Sequence, residues 1–78
     1  MTQIQSPLPG TFYHKPSPDE AAYKVKGDAV AVGDVIGLIE VMKTFIEVKA
    51  ETAGTFASYV AENEAPVMAG AVLAELDD

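Results

Sequence analysis

A chain of 78 residues with 12 acidic and five basic side chains, formal charge −7, no arginine and no cysteine is read as one small domain over residues 1–78. That balance argues against a nucleic-acid partner, which calls for clustered Lys and Arg; the missing cysteine removes disulfides and thiolate chemistry; and one histidine, His14, cannot build a zinc site alone. No apolar run is long enough to span a bilayer, and the start Met1-Thr2-Gln3-Ile4-Gln5-Ser6 lacks a charged-then-apolar signal layout, so no membrane partner is expected and a cytoplasmic location is compatible.

Proline and glycine are spread along the chain and interrupt any long helix, while alternation of apolar and polar residues recurs over short stretches. Gly10-Thr11-Phe12 is followed by a turn-rich stretch, 13–22, in which Pro16 and Pro18 cannot donate to a ladder. Val35–Val41 and Phe45–Ala50 read as two strands meeting at a short link. In the second, Phe45, Glu47 and Lys49 face one way and Ile46, Val48 and Ala50 the other. Val41, Phe45 and Ile46 are expected to anchor this hairpin in the core. Gly54–Val60 and Ala71–Leu76 read as further short strands. About eight strands in all predict a small all-β sandwich or barrel.

The chain also repeats itself. Ser6-Pro7-Leu8-Pro9-Gly10-Thr11-Phe12 resembles Ala50-Glu51-Thr52-Ala53-Gly54-Thr55-Phe56 at a shift of 44 residues, and Val32-Gly33-Asp34-Val35-Ile36 resembles Ala69-Gly70-Ala71-Val72-Leu73 at a shift of 37. The difference places seven extra residues in the first half, between Phe12 and Gly33. The expectation is two similar four-stranded halves, one with a protruding loop that has His14 at the surface of its base.

The link between the halves is Met42-Lys43. A hairpin tip normally takes Asn-Gly or Asp-Gly because its central residues need positive φ; this tip has none of these residues, and a break in local rules is where function is expected. A catalytic lysine needs burial or a cationic neighbour, yet Glu40 and Glu47 stand nearby; a phosphate-binding lysine needs a preceding glycine-rich loop, which is missing. Acceptance of a covalent group by an exposed lysine on a rigid hairpin fits. There is no nucleophile–base pairing or metal cluster in the sequence to suggest an enzyme.

Glu40-Val41-Met42-Lys43-Thr44 resembles the attachment motif of biotin carboxyl carrier domains, usually Glu-Ala-Met-Lys-Met. With Ser6–Tyr13, Pro16-Ser17-Pro18-Asp19, Val32-Gly33-Asp34, Gly54-Thr55 and Pro66-Val67, the resemblance to the carrier of the acetyl-CoA carboxylase type runs from about Ile4 to Leu76. It implies a flattened β-barrel of two four-stranded antiparallel sheets related by a quasi-twofold axis. The seven-residue excess then corresponds to the thumb of this carrier type. It also implies that the chain is a non-catalytic carrier. A biotin protein ligase would join biotin to Lys43 using ATP, biotin carboxylase would load a carboxyl group, and a carboxyltransferase would pass it to an acyl-CoA, as in acetyl-CoA to malonyl-CoA for fatty acid synthesis. The residues implied at the biotin site are Glu40, Val41, Met42, Lys43 and Thr44.

Val41 and Thr44 depart from that motif and put in question which ligase or carboxylase reads the tip. The long N-terminal region and Ala/Pro-rich linker of such carriers are not in the sequence, leaving an excised domain or a free-standing carrier, with the Met-Thr-Gln start pointing to the latter. Two other readings are a lipoyl carrier of a 2-oxoacid dehydrogenase complex, disfavoured because lipoyl tips read Asp-Lys-Ala, and an unmodified interaction module.

Overall fold

Each Gly-Thr-Phe of the repeat opens a strand and buries its phenylalanine: Phe12 and Phe56 are the two largest side chains that are fully buried. In the computed structural model, which describes residues 2–77, eight strands follow in order. They are β1 (Thr2–Gln5), β2 (Gly10–Tyr13), β3 (Ala29–Val30), β4 (Val35–Val41), β5 (Thr44–Lys49), β6 (Gly54–Tyr59), β7 (Ala65–Val67) and β8 (Val72–Asp77). Met1 and Asp78, the ends of the expected domain, lie outside the described residues.

The strands form two four-stranded sheets, β1-β8-β6-β3 and β5-β4-β2-β7, with every pairing antiparallel. Advancing each strand number by four converts the first order into the second, which is what a quasi-twofold axis relating two halves requires. The registers agree. Val30 pairs with Gly54 as Val67 pairs with Gly10, reproducing the shifts of 44 and 37 found in the sequence. Equivalent turns are closed by equivalent bonds: Gly33 N–H to Ala50 C=O and Gly70 N–H to Ser6 C=O, both 2.8 Å. Gly33 and Gly70 share a positive φ, 93° and 85°. Ile36 and Ile39 of β4 are matched by Leu73 and Leu76 of β8, all four fully buried in one apolar cluster between the sheets. Burial of such side chains, about 1.5–3 kcal/mol each, holds the two sheets face to face.

The excess in the first half is narrower than the sequence implied. Gly27 N–H bonds to Phe56 C=O and Glu64 N–H to Phe12 C=O, a matched pair, so the seven residues lie between Phe12 and Gly27. The thumb leaves β2 at His14 and returns at Tyr23, where Tyr23 N–H donates to His14 C=O at 2.9 Å. Lys24 N–H then donates to the Tyr59 hydroxyl, which itself donates to Ile36 C=O at 2.7 Å. Burial pushes the Tyr59 phenol up to about 12, so it remains a donor in this chain of bonds.

Two expectations are corrected. His14, expected at the surface, is half-buried: its ring stacks on Tyr59 with centroids 4.4 Å apart, its backbone N–H donates to Asn63 Oδ1, and its Nδ1 is buried without a partner. Phe45 does not anchor the hairpin in the core. It is 56% exposed, because strand alternation puts it on the outer face with Glu47 and Lys49. Val41 packs against the core and Ile46 is half-buried, as expected.

Candidate functional site

Val41 pairs with Thr44 at the end of the β4–β5 hairpin, so the turn contains two residues only, Met42 and Lys43. Their φ values are 50° and 67°. Positive φ at both central positions is the geometry that matches the twist of paired strands. Here it is adopted by two residues with side chains, at a cost of about 1–2 kcal/mol each. Six cross-strand pairs between Val35–Val41 and Thr44–Lys49, interrupted only by a register shift at Ile36, supply the pairing that holds the strained link in place.

Both tip side chains project into solvent. Met42 is 94% exposed, and the exposed Lys43 has no ion pair or hydrogen bond among the described residues. An amine presented this way is reachable by another protein from several directions. It has no neighbour that would need to be displaced before it reacts.

Behind the tip, Glu40 is half-buried and its Oε1 accepts a hydrogen bond from the Tyr13 hydroxyl at 2.9 Å. That bond, followed by burial and the charges of Glu40 and Glu64, holds the Tyr13 phenol above its ordinary value. Glu40 pairs across the ladder with Phe45 on one side and Thr11 on the other. The rings of Tyr13 and Phe45, from strands on opposite sides of β4, meet at 5.9 Å. Gly10 makes room for β4 in this region: a Cβ there would lie 2.6 Å from Glu40 O and from Ile39 Cγ2.

Next to this cluster, the thumb residues Lys15, Pro16, Ser17 and Pro18 overhang the outer face of the β5-β4-β2-β7 sheet. Together with Tyr13, Leu38, Phe45, Asn63 and Glu64 they enclose a cleft of about 430 Å³. The five residues of the sequence motif, Glu40, Val41, Met42, Lys43 and Thr44, thus stand on one continuous hairpin end, three of them exposed. The contributions of Tyr13, Phe45 and Gly10 are not visible in the motif. The repeat holds a signal for Tyr13: its counterpart at a shift of 44 is Ala57, so the first half carries an outward aromatic that the second lacks.

Comparison with known proteins agrees with this arrangement. The family model described as biotin-requiring enzyme, of biotin and lipoyl attachment, matches residues 2–76. The chain is 41% identical over 64 residues to the biotin carboxyl carrier protein of acetyl-CoA carboxylase 2, chloroplastic, of Arabidopsis thaliana, covering 82% of this chain and 25% of that protein. It is 43% identical over 70 residues to the biotin carboxyl carrier protein of acetyl-CoA carboxylase of Chlamydia muridarum, covering 90% and 43%. The Pseudomonas aeruginosa protein of that name is 39% identical over 64 residues, covering 82% and 41%. The chain therefore spans about a quarter to two fifths of the length of these relatives. Among solved structures, Kluyveromyces lactis urea carboxylase superposes with a TM-score of 0.77 at 28% identity, over 97% of this chain and 6% of that one. With its two quasi-symmetric sheets, its exposed tip lysine and a family match over nearly its whole length, the chain belongs to the biotin-requiring enzyme family.

Proposed function

We propose that residues 1–78 form one biotinyl domain, a non-catalytic carrier whose Lys43 is covalently biotinylated. The observation that carries this reading is the exposed, unpartnered Lys43 amine on a strained two-residue turn, at the position where the sequence resembles the biotin attachment motif. Biotin joins proteins through its carboxylate, so its fit requires a free amine that an ATP-dependent biotin protein ligase can reach, and Lys43 meets that requirement. Once attached, biotin supplies a ureido nitrogen that takes up and yields a carboxyl group.

The chain's own residues present and tether. The β4–β5 ladder keeps Lys43 at a fixed point, Met42 and Thr44 flank it in solvent, and Val41 pins the turn to the core. A long arm on such a point raises the local concentration of its end at two successive active sites, a gain that needs no catalytic group in the carrier. The partners this reading names are a biotin protein ligase, biotin carboxylase and a carboxyltransferase acting on an acyl-CoA, with acetyl-CoA to malonyl-CoA suggested by the relatives. It places the carrier in the cytoplasm. Among the described residues, no helix is long and apolar enough to cross a membrane.

Intact mass after incubation with a biotin protein ligase, biotin and ATP tests the proposal. The expected result is one biotin increment that disappears in Lys43→Arg. A lipoyl-sized increment on chain isolated from its own cells would transfer the reading to lipoyl carriers, and an unmodified lysine in both settings would leave an interaction module.

A further inference from the structure

The carboxylate nearest the tip on β4 is held by residues from both neighbouring strands. Tyr13 of β2 is a diagonal neighbour of Glu40, since its direct partner across the ladder is Leu38. Diagonal neighbours on one face lie within reach of aromatic side chains. Its hydroxyl reaches Glu40 Oε1 at 2.9 Å, while its ring reaches over β4 to Phe45 of β5. Phe45 is itself the direct cross-strand partner of Glu40. The carboxylate is thus fixed at one oxygen and walled by a ring, three residues before Lys43 in the chain. Tyr13 is its hydrogen-bond partner among the described residues.

Such an arrangement is more than the hairpin needs. An outward-facing glutamate on a strand is ordinarily left to solvent, where its side chain samples many rotamers and a partner binding it must order them first. The corresponding position of the other half, at a shift of 37, is Asp77, which is exposed; Ala57 stands at the place of Tyr13 in the repeat, and the ladder between β6 and β8 shifts register at that residue. The fold therefore does not demand the pair for its own sake; it occurs in the half of the sheet pair that carries the lysine tip.

We propose that Tyr13 is a positioning residue that, with Phe45, pre-orders Glu40 as a recognition carboxylate for the enzyme that modifies Lys43. The free oxygen, Oε2, is the atom offered to a donor of that enzyme. The inference rests on the reading of Lys43 as the biotin acceptor.

The test is steady-state kinetics of biotin attachment by a biotin protein ligase with ATP and biotin. The substrates are the wild-type chain, Tyr13→Phe, Glu40→Gln and the double variant, each with its thermal unfolding midpoint measured. Tyr13→Phe keeps the ring against Phe45 and removes only the hydroxyl. The expected result is a KM for the carrier raised about threefold to tenfold in Tyr13→Phe, with kcat unchanged. Glu40→Gln should raise KM at least as much, and the double variant should be no worse than Glu40→Gln alone, because the hydroxyl acts through the carboxylate. A wild-type KM in folded Tyr13→Phe, or effects that multiply in the double variant, would overturn the proposal while leaving biotinylation of Lys43 intact. A wild-type chain that takes up no biotin would instead overturn the reading beneath it, and the proposal with it.

Discussion

Gly27 and Glu64 occupy the same place in the two halves. Each has a left-handed backbone, φ 95° and 65°, and each donates its N–H to the carbonyl of the other half's core phenylalanine, at 2.9 and 2.6 Å. Glycine adopts that conformation freely, whereas a residue with a Cβ pays about 1–2 kcal/mol. Glu64→Gly should therefore stabilise the chain by about 0.5–1 kcal/mol, after allowance for the greater freedom of glycine when unfolded. Gly27→Ala should destabilise it by about 1 kcal/mol by conformation alone, since nothing lies within 4 Å of the added Cβ. Urea unfolding of both variants checks the pair; equal and near-zero shifts would mean that the two turns relax independently of residue type.

The tip itself holds the same kind of strain without relief by glycine. Met42→Asn replaces a residue at φ 50° by one whose short polar side chain tolerates that region. The expected gain is up to about 1 kcal/mol in stability. Met42 is almost wholly exposed, so no packing is lost to offset it. If Met42 is read by the ligase, the same variant should take up biotin more slowly although it is more stable. Opposite signs in unfolding and modification rate would mark the strain as retained for recognition.

The fold was legible because glycine and phenylalanine recur at positions that structure makes equivalent. Gly10 and Gly54, Gly33 and Gly70, and Phe12 and Phe56 return as matched registers, turns and core rings. The two-residue tip was legible because Met42-Lys43 breaks turn chemistry between two apolar runs. What alternation cannot reveal is which residues on a shared face touch. It had already grouped Phe45 with Glu47 and Lys49, and their outer face rules out the core anchoring expected for Phe45. The Tyr13–Glu40 bond joins residues 27 apart in sequence on neighbouring strands, and the stacking of His14 on Tyr59 depends on how the thumb folds back. Neither leaves a local pattern in the sequence.

Gly10 supports the tip from beneath. In Gly10→Ala the new Cβ would have to displace the Glu40 carbonyl oxygen, which belongs to the backbone of β4 and cannot swing aside. A loss of about 1–3 kcal/mol is expected, as for overpacked cores. Because the shift is imposed on the strand that carries Glu40 and Val41, biotin attachment should slow as well. Gly33→Ala, whose Cβ meets open space, provides the comparison: its cost should be confined to stability.

The thumb should be separable from the barrel, but only beyond His14. Tyr23 N–H and His14 C=O already meet at 2.9 Å, so residues 15–22 can be replaced by Asn-Gly to close a two-residue turn. Exposed loops tolerate such changes, and the unfolding midpoint should move by no more than a few degrees. Removing His14 as well would cost the Tyr59 stack and the bond to Asn63, and should lower the midpoint further. Similar midpoints for the two deletions would show that His14 contributes nothing to the barrel.

His14 also predicts how stability responds to acid. Burial, followed by the nearby charge of Lys15, holds its imidazole below the ordinary value of 6.5, and its Nδ1 lies buried without a partner. A histidine with a depressed pKa in the folded state binds its proton more readily when unfolded. Its contribution is therefore complete above about pH 6.5 and is lost as the pH falls from there toward the folded value. Stability of the wild-type chain should decline between about pH 7.5 and 5.5, where few carboxylates titrate. His14→Phe keeps a ring against Tyr59, removes the orphaned nitrogen and should flatten the curve across that range. Denaturant midpoints at half-unit pH intervals decide the matter, and a slope that persists in the phenylalanine variant would assign the acid sensitivity to another group.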